Sequence, residues 1–159
     1  MKTTRVLGAF AALALLAACE SSTDTAATGT GAATTGSTIR PGSQEDLIAQ
    51  AGSDRVFFDY DSSAIRADQR PTLQRQASWM GANPAVTVQV EGHADERGTR
   101  EYNLALGQRR ANAARDALAA GGVAGGRIST ISYGKDRPAA LGSNEDAWAQ
   151  NRRAVTVVR

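Results

Sequence analysis

Val86, Val88 and Val90 are apolar, while Thr87, Gln89 and Glu91 between them are polar. That period of two predicts a half-buried strand. Further on, Leu104, Gly107, Ala111, Ala114 and Leu118 recur at steps of 3 and 4. This is one face of a helix, predicted over Tyr102–Ala120 and closed by Gly121-Gly122. Upstream, Ser43 with Asp46 three residues later reads as a helix start that Gly52 ends. Arg55–Tyr60 (RVFFDY) is rich in strand formers. Asp68 with Pro71 opens a helix carrying Leu73, Ala77, Trp79 and Met80, stopped by Gly81 and Asn83-Pro84. Strands are predicted again at Ile128–Tyr133 and Ala154–Val158, with a short helix over Asn144–Gln150 between them. Four strands alternating with helices place the domain in the α/β class, a small sheet covered by helices.

The N-terminal end follows another pattern. Lys2 and Arg5 precede thirteen apolar residues, Val6 to Ala18. At about 1.5 Å per residue these are too short to cross a hydrocarbon core of roughly 30 Å, so residues 1–18 read as an export signal. It ends in Leu16-Ala17-Ala18-Cys19, which resembles the bacterial lipobox, and Cys19 is the single cysteine of the chain. Cys19 is therefore the expected lipidation site. A lone cysteine forms no intramolecular disulfide, so stability must come from packing. Stable attachment needs more than one acyl chain.

Residues 19–42 are almost entirely Thr, Ala, Gly and Ser after the cysteine and Glu20. Such a stretch cannot offset its ordering entropy and reads as a flexible tether, spanning roughly 25 Å on average. The remaining residues, 43–159, make one domain. Charge changes the picture only by removing an option. The chain carries 18 Lys+Arg and 16 Asp+Glu, with a pI near 9.0. Without Lys2 and Arg5 the two signs balance, so the hint of a nucleic-acid partner disappears with the leader.

The chemistry concentrates in GHADERGTREYNLALGQRRA, residues 92–111. Asp95 falls in the loop after the valine strand, where α/β layers often bind ligands. Asn103, Leu106 and Arg110 form a helical stripe beside the predicted core face, and an arginine there can reach back toward Asp95. One carboxylate and one guanidinium at such a junction suit a zwitterion of the amino-acid kind. Spacing alone equally allows Asp95 and Arg110 to pair with each other and pin loop to helix. Arg100, Glu101 and Arg109 read as solvated. His93, Asp95 and Glu96 invite a metal reading, but with one histidine and no second cluster the expected set is incomplete. His93 is expected to orient the loop by hydrogen bonding. No Ser-His-Asp set assembles, and no enzyme and no cofactor are expected.

GHADERGTREYNLALGQRRANA, SYGKDRP, ALG and NRRAV together resemble the signature of the OmpA-like peptidoglycan-binding domain, over roughly Asp54–Arg159. With lipobox, tether and single domain, the chain resembles the lipoproteins of the Tol-Pal system. The resemblance implies a two-layer α/β sandwich with a four-stranded mixed sheet. It also implies an outer-membrane location facing the periplasm, and non-covalent binding of the meso-diaminopimelate side chain of peptidoglycan. TolB and other Tol proteins are the implied partners, in cell division and envelope integrity. Asp95 and Arg110 match the two principal binding positions. Arg97 and Thr99 match loop contacts, Asn103 and Leu106 helix contacts, and Tyr60-Asp61 an aromatic-Asp pair. Tyr60 stands where phenylalanine or leucine is usual, and Arg100 where proline is common. Glu20 is not the aspartate of inner-membrane retention. An OmpA-like peptidoglycan-binding lipoprotein outside the Tol-Pal system is the alternative that the resemblance leaves.

Overall fold

The computed structural model describes residues 39–159. Cys19, the leader and the tether up to residue 38 lie outside the described residues. The ordered fold takes hold of its chain at once. Arg40 accepts from the Ser43 backbone, and the Gly42 amide donates to Asp46 at 2.9 Å. Helix α1 (Gln44–Ala51) is capped as expected, with Ser43 accepting from the Asp46 amide and Gly52 left-handed at φ 80°.

The order continues as β1 (Arg55–Phe57), α2 (Arg70–Ala82), β2 (Val88–His93), α3 (Arg100–Ala120), β3 (Ile128–Gly134), α4 (Glu145–Asn151) and β4 (Arg153–Val158). The strands form one mixed sheet in the order β1-β4-β2-β3. β2 and β3 run parallel, while β4 is antiparallel to both β1 and β2. Val56, Val88, Val90 and Ala154 point from the sheet into a core closed by Leu73, Ala77 and Met80 of α2 and Ala111, Ala114 and Leu118 of α3. This is the expected two-layer sandwich.

Two glycines set how closely the layers meet. A Cβ on Gly92 of β2 would lie 1.8 Å from the Gly107 carbonyl oxygen of α3. A Cβ on Gly107 would lie 2.3 Å from the Ser132 hydroxyl of β3. Helix backbone therefore rests directly on strand backbone, and Ser132 donates to the Leu104 carbonyl at 2.6 Å. This seats the first turns of α3 over the ends of β2 and β3.

That seating corrects the predicted helical face. Leu104, placed in the core stripe by periodicity, is 41% exposed. The buried positions are Asn103, Leu106, Gly107, Arg110, Ala111, Ala114 and Leu118. Contact through glycine backbone turns the first half of α3 so that its polar stripe faces inward.

Two local expectations also fail. The first strand stops at Phe57 and does not reach Tyr60. Phe58 still donates to the Arg152 carbonyl, but the chain then turns through Asp61 at φ 50°. Asp68 does not cap α2. Its carboxylate is taken by Arg66 at 3.0 Å and by Gln69, and a short 3-10 turn, Ala67–Gln69, precedes the helix.

Candidate functional site

β2 runs three residues beyond the valines, so Asp95 lies two residues past its end. The Ala94 amide still donates to the Gly134 carbonyl at 2.8 Å, extending the sheet contact to the edge of the loop. Gly98 then turns at φ 89°, a left-handed conformation that favours glycine. Thr99 ends the loop by accepting from the Tyr102 amide as the cap of α3. Asn103, buried beneath, donates to the Arg97 carbonyl at 2.8 Å and ties helix to loop. Asp95 is thereby fixed at 5% exposure.

Three guanidinium groups approach this carboxylate, each held differently. Arg97 donates through its backbone amide and Nε to Oδ1, and through NH2 to Oδ2 at 2.6 Å. Its guanidinium lies between the rings of Tyr60 and Trp148, 4.1 and 4.0 Å from their centroids. Arg152 places NH1 3.6 Å from Oδ2. Its Nε donates to the Phe58 carbonyl, and its NH1 is buried without a hydrogen bond. Burial alone would raise the Asp95 pKa. The bonds from Arg97, with the charges of Arg97 and Arg152, outweigh it and hold the carboxyl below its ordinary range.

Arg110 is the third, and it is fully buried. Nε donates to Ser62 O at 2.8 Å, NH1 to His93 O at 2.9 Å and NH2 to Asp59 O at 3.0 Å. These bonds bend the chain after β1 and are the physical reason that strand ends early. Of the five N–H groups of a guanidinium, two remain for another acceptor. Burial lowers the Arg110 pKa to about 10, with Asp95 opposing the shift, so the group stays charged at neutral pH. Asp95 and Arg110 make no ion pair within 4 Å; the ion pairs of Asp95 are with Arg97 and Arg152.

Between these groups lies a cavity of about 100 Å³. Asp95 and Arg110 line it together with Asn103, Leu106 and Arg97, and with Tyr60 and Asp61. Thr99, matched to a ligand contact, does not line it; its hydroxyl is the helix cap. Sequence reasoning missed Tyr102, which lines the cavity and donates through its hydroxyl to Asp61. It also missed the backing pair Arg152 and Trp148. Arg152 sits in the NRRAV motif, where only its pattern drew notice. Trp148 carried no sequence signal. Arg100 and Glu101 are exposed, as is Arg109; Arg100 pairs with Asp136 at 2.7 Å.

His93 departs from expectation. It is 2% exposed, and neither ring nitrogen has a hydrogen-bond partner. The ring packs against Tyr133 with centroids 5.6 Å apart. Burial, reinforced by the charges of Arg153 and Arg137, pushes its pKa down to about 4. What orients the neighbouring loop is the His93 carbonyl, which accepts from Arg110. Among the described residues, no group of three or more His, Cys, Asp or Glu side chains is arranged to hold a metal ion.

Residues 57–152 match the OmpA family. A peptidoglycan-associated lipoprotein of Mesorhizobium japonicum is 52% identical over 159 residues, covering 96% of this chain and 90% of its own. One from Agrobacterium fabrum is 60% identical over 118 residues, covering 74% of this chain and 66% of that relative. Among solved structures, the peptidoglycan-associated lipoprotein from Burkholderia pseudomallei aligns at a TM-score of 0.66 and 44% identity. The alignment spans 68% of this chain and 92% of that one.

Proposed function

The chain belongs to the OmpA family, and within it to the peptidoglycan-associated lipoproteins; on that premise we propose that it is a non-enzymatic tether from the outer membrane to the cell wall. One observation carries the reading. A small cavity sets the buried carboxylate of Asp95 against the buried guanidinium of Arg110, whose two uncommitted N–H groups suit a carboxylate. The distal end of meso-diaminopimelate carries one ammonium and one carboxylate on a single carbon. In this reading the ammonium meets Asp95, with Asp61 alongside, and the carboxylate meets Arg110. Leu106 and Tyr60 wall the methylene chain. Acyl chains on Cys19 hold the other end, residues 19–42 span the gap, and residues 43–159 are the binding domain. TolB and its partner Tol proteins share the periplasmic side, in inward movement of the outer membrane at division.

Sacculi test the site directly. Mature protein carrying Cys19→Ser, to keep it free of lipid, is expected to co-sediment with isolated peptidoglycan. The same protein with Asp95→Asn is expected to remain in the supernatant. Equal sedimentation of the two would place peptidoglycan binding elsewhere on the surface.

A further inference from the structure

Asp95 already has a cation. Arg97 covers both of its carboxylate oxygens, through Nε at 3.3 Å and NH2 at 2.6 Å. A ligand ammonium cannot reach Asp95 at full strength while that contact stands. The other two guanidinium groups cannot move aside. Arg110 is locked on three backbone carbonyls, and Arg152 on the Phe58 carbonyl and Glu145. Arg97 differs in every respect that matters for movement. Its side chain is 30% exposed, and it is held by side chains alone beyond its own Asp95 turn. One of the two flanking rings, Tyr60, is itself 62% exposed. Swinging the Arg97 side chain outward would leave no backbone group unpaired, since its only hydrogen-bond partner is Asp95.

We infer that Arg97 is a displaceable stand-in for the ligand's cation, so that filling the pocket exchanges one cation for another on Asp95. The inference rests on the functional reading above and adds a basis for selectivity. A ligand bearing only an amine must evict a guanidinium and leave it without a partner. A zwitterion brings its own carboxylate, on which the displaced guanidinium can settle beside Arg110. Self-occupation thus handicaps the amine more than the zwitterion, and the pocket gains selectivity from a residue that opposes binding.

The test is calorimetric titration of the lipid-free mature protein and its Arg97→Gln variant, each with two synthetic stem peptides. One peptide carries meso-diaminopimelate, the other lysine at the same position. If Asp95 is occupied by Arg97 about nine-tenths of the time, its release tightens the lysine peptide by about tenfold. The preference for diaminopimelate then shrinks in the variant. Lysine-peptide affinity that is unchanged or weaker in Arg97→Gln overturns the exchange and makes Arg97 an ordinary contact or a prop for Asp95. The Arg97 Nε–H resonance gives a reading on wild type alone. It should be protected from solvent exchange in the free protein and become fast-exchanging when the lysine peptide, which offers no distal carboxylate to receive it, saturates the site. Persistent protection in the saturated complex likewise overturns the exchange. Failure of wild type to bind the diaminopimelate peptide at all overturns the functional reading instead.

Discussion

The floor and the rim of the pocket are built by different means from the same residue types. On the floor, Arg110 and Asn103 are buried, and their side chains spend hydrogen bonds on backbone carbonyls of Asp59, Ser62, His93 and Arg97. At the rim, Arg97, Tyr60, Asp61 and Tyr102 touch one another through side chains, and most are exposed. A guanidinium that ties carbonyls of separate segments together is part of the fold, because its removal strands the buried His93 carbonyl and releases the loop at Asp59 and Ser62. A guanidinium stacked between partly exposed rings is replaceable at little cost to stability. One site thus contains a fixed charge and an adjustable one.

The largest expected effect breaks the floor. Arg110→Ala strands three carbonyls and opens a cavity, so unfolding free energy should fall by about 3–5 kcal/mol, read by urea denaturation. Arg97→Gln, which leaves Arg152 beside Asp95 and strands no carbonyl, should lower it by only about 1–2 kcal/mol. Equal losses from the two would erase the distinction between floor and rim.

The next effect is a pH dependence of stability from His93, whose ring belongs to neither floor nor rim. His93 has a folded pKa near 4 against an ordinary value of 6.5. Desolvation by burial and the charges of Arg153 and Arg55 oppose its protonation, the Arg137 backbone favours it, and Glu91 lies 3.9 Å away. The unfolded chain therefore takes up a proton first as pH falls. Stability is full above about pH 6.5 and declines by about 3 kcal/mol toward pH 4. Asp95, held low, loses its contribution only below about pH 4, as pH falls through its folded value. His93→Gln should flatten the upper window and leave the lower one. An unchanged slope between pH 6.5 and 4 would assign the dependence to other groups.

These two predictions mark what the sequence could and could not carry. Period two placed β2 and the stepping by 3 and 4 placed α3, because those periods report which face meets the core, while strand-former content and cap residues located the rest. The same logic misplaced Leu104. Direct contact of Gly92 with Gly107 rotates the first turns of α3, and a stripe that includes Gly107 does not report how closely its backbone meets the sheet. The loop residues of the site were legible through a charged motif and its resemblance to a family. The commitment of Arg110 to three carbonyls was not legible, since its partners lie 17 to 51 residues away in sequence. His93 read as a hydrogen-bonding residue from its type alone, and burial on the far face of β2 decided otherwise. Tyr102 carries no signal beyond its place at the start of the predicted helix, and its role at the cavity comes from the contact of its hydroxyl with Asp61.

Smaller effects sharpen the rim. Asp95→Asn should weaken diaminopimelate peptide by about 2 kcal/mol, or roughly thirtyfold, by removing the charge opposite the ammonium. Tyr102→Phe, which frees the Asp61 carboxylate from its hydroxyl partner, should change affinity by about 1 kcal/mol or less and leave stability intact. A Tyr102→Phe loss as large as that of Asp95→Asn would make Asp61 the principal ammonium partner.

The central claim is that the cavity recognises both charges of a single zwitterionic centre. Titrating wild-type protein with the diaminopimelate stem peptide and its lysine counterpart isolates that claim, since the two differ by one carboxylate. Loss of a charged partner facing Arg110 should weaken the lysine peptide by about 2 kcal/mol or more, at least thirtyfold. Equal affinity for the two peptides would contradict the account, because it would mean that nothing in the pocket reads the carboxylate.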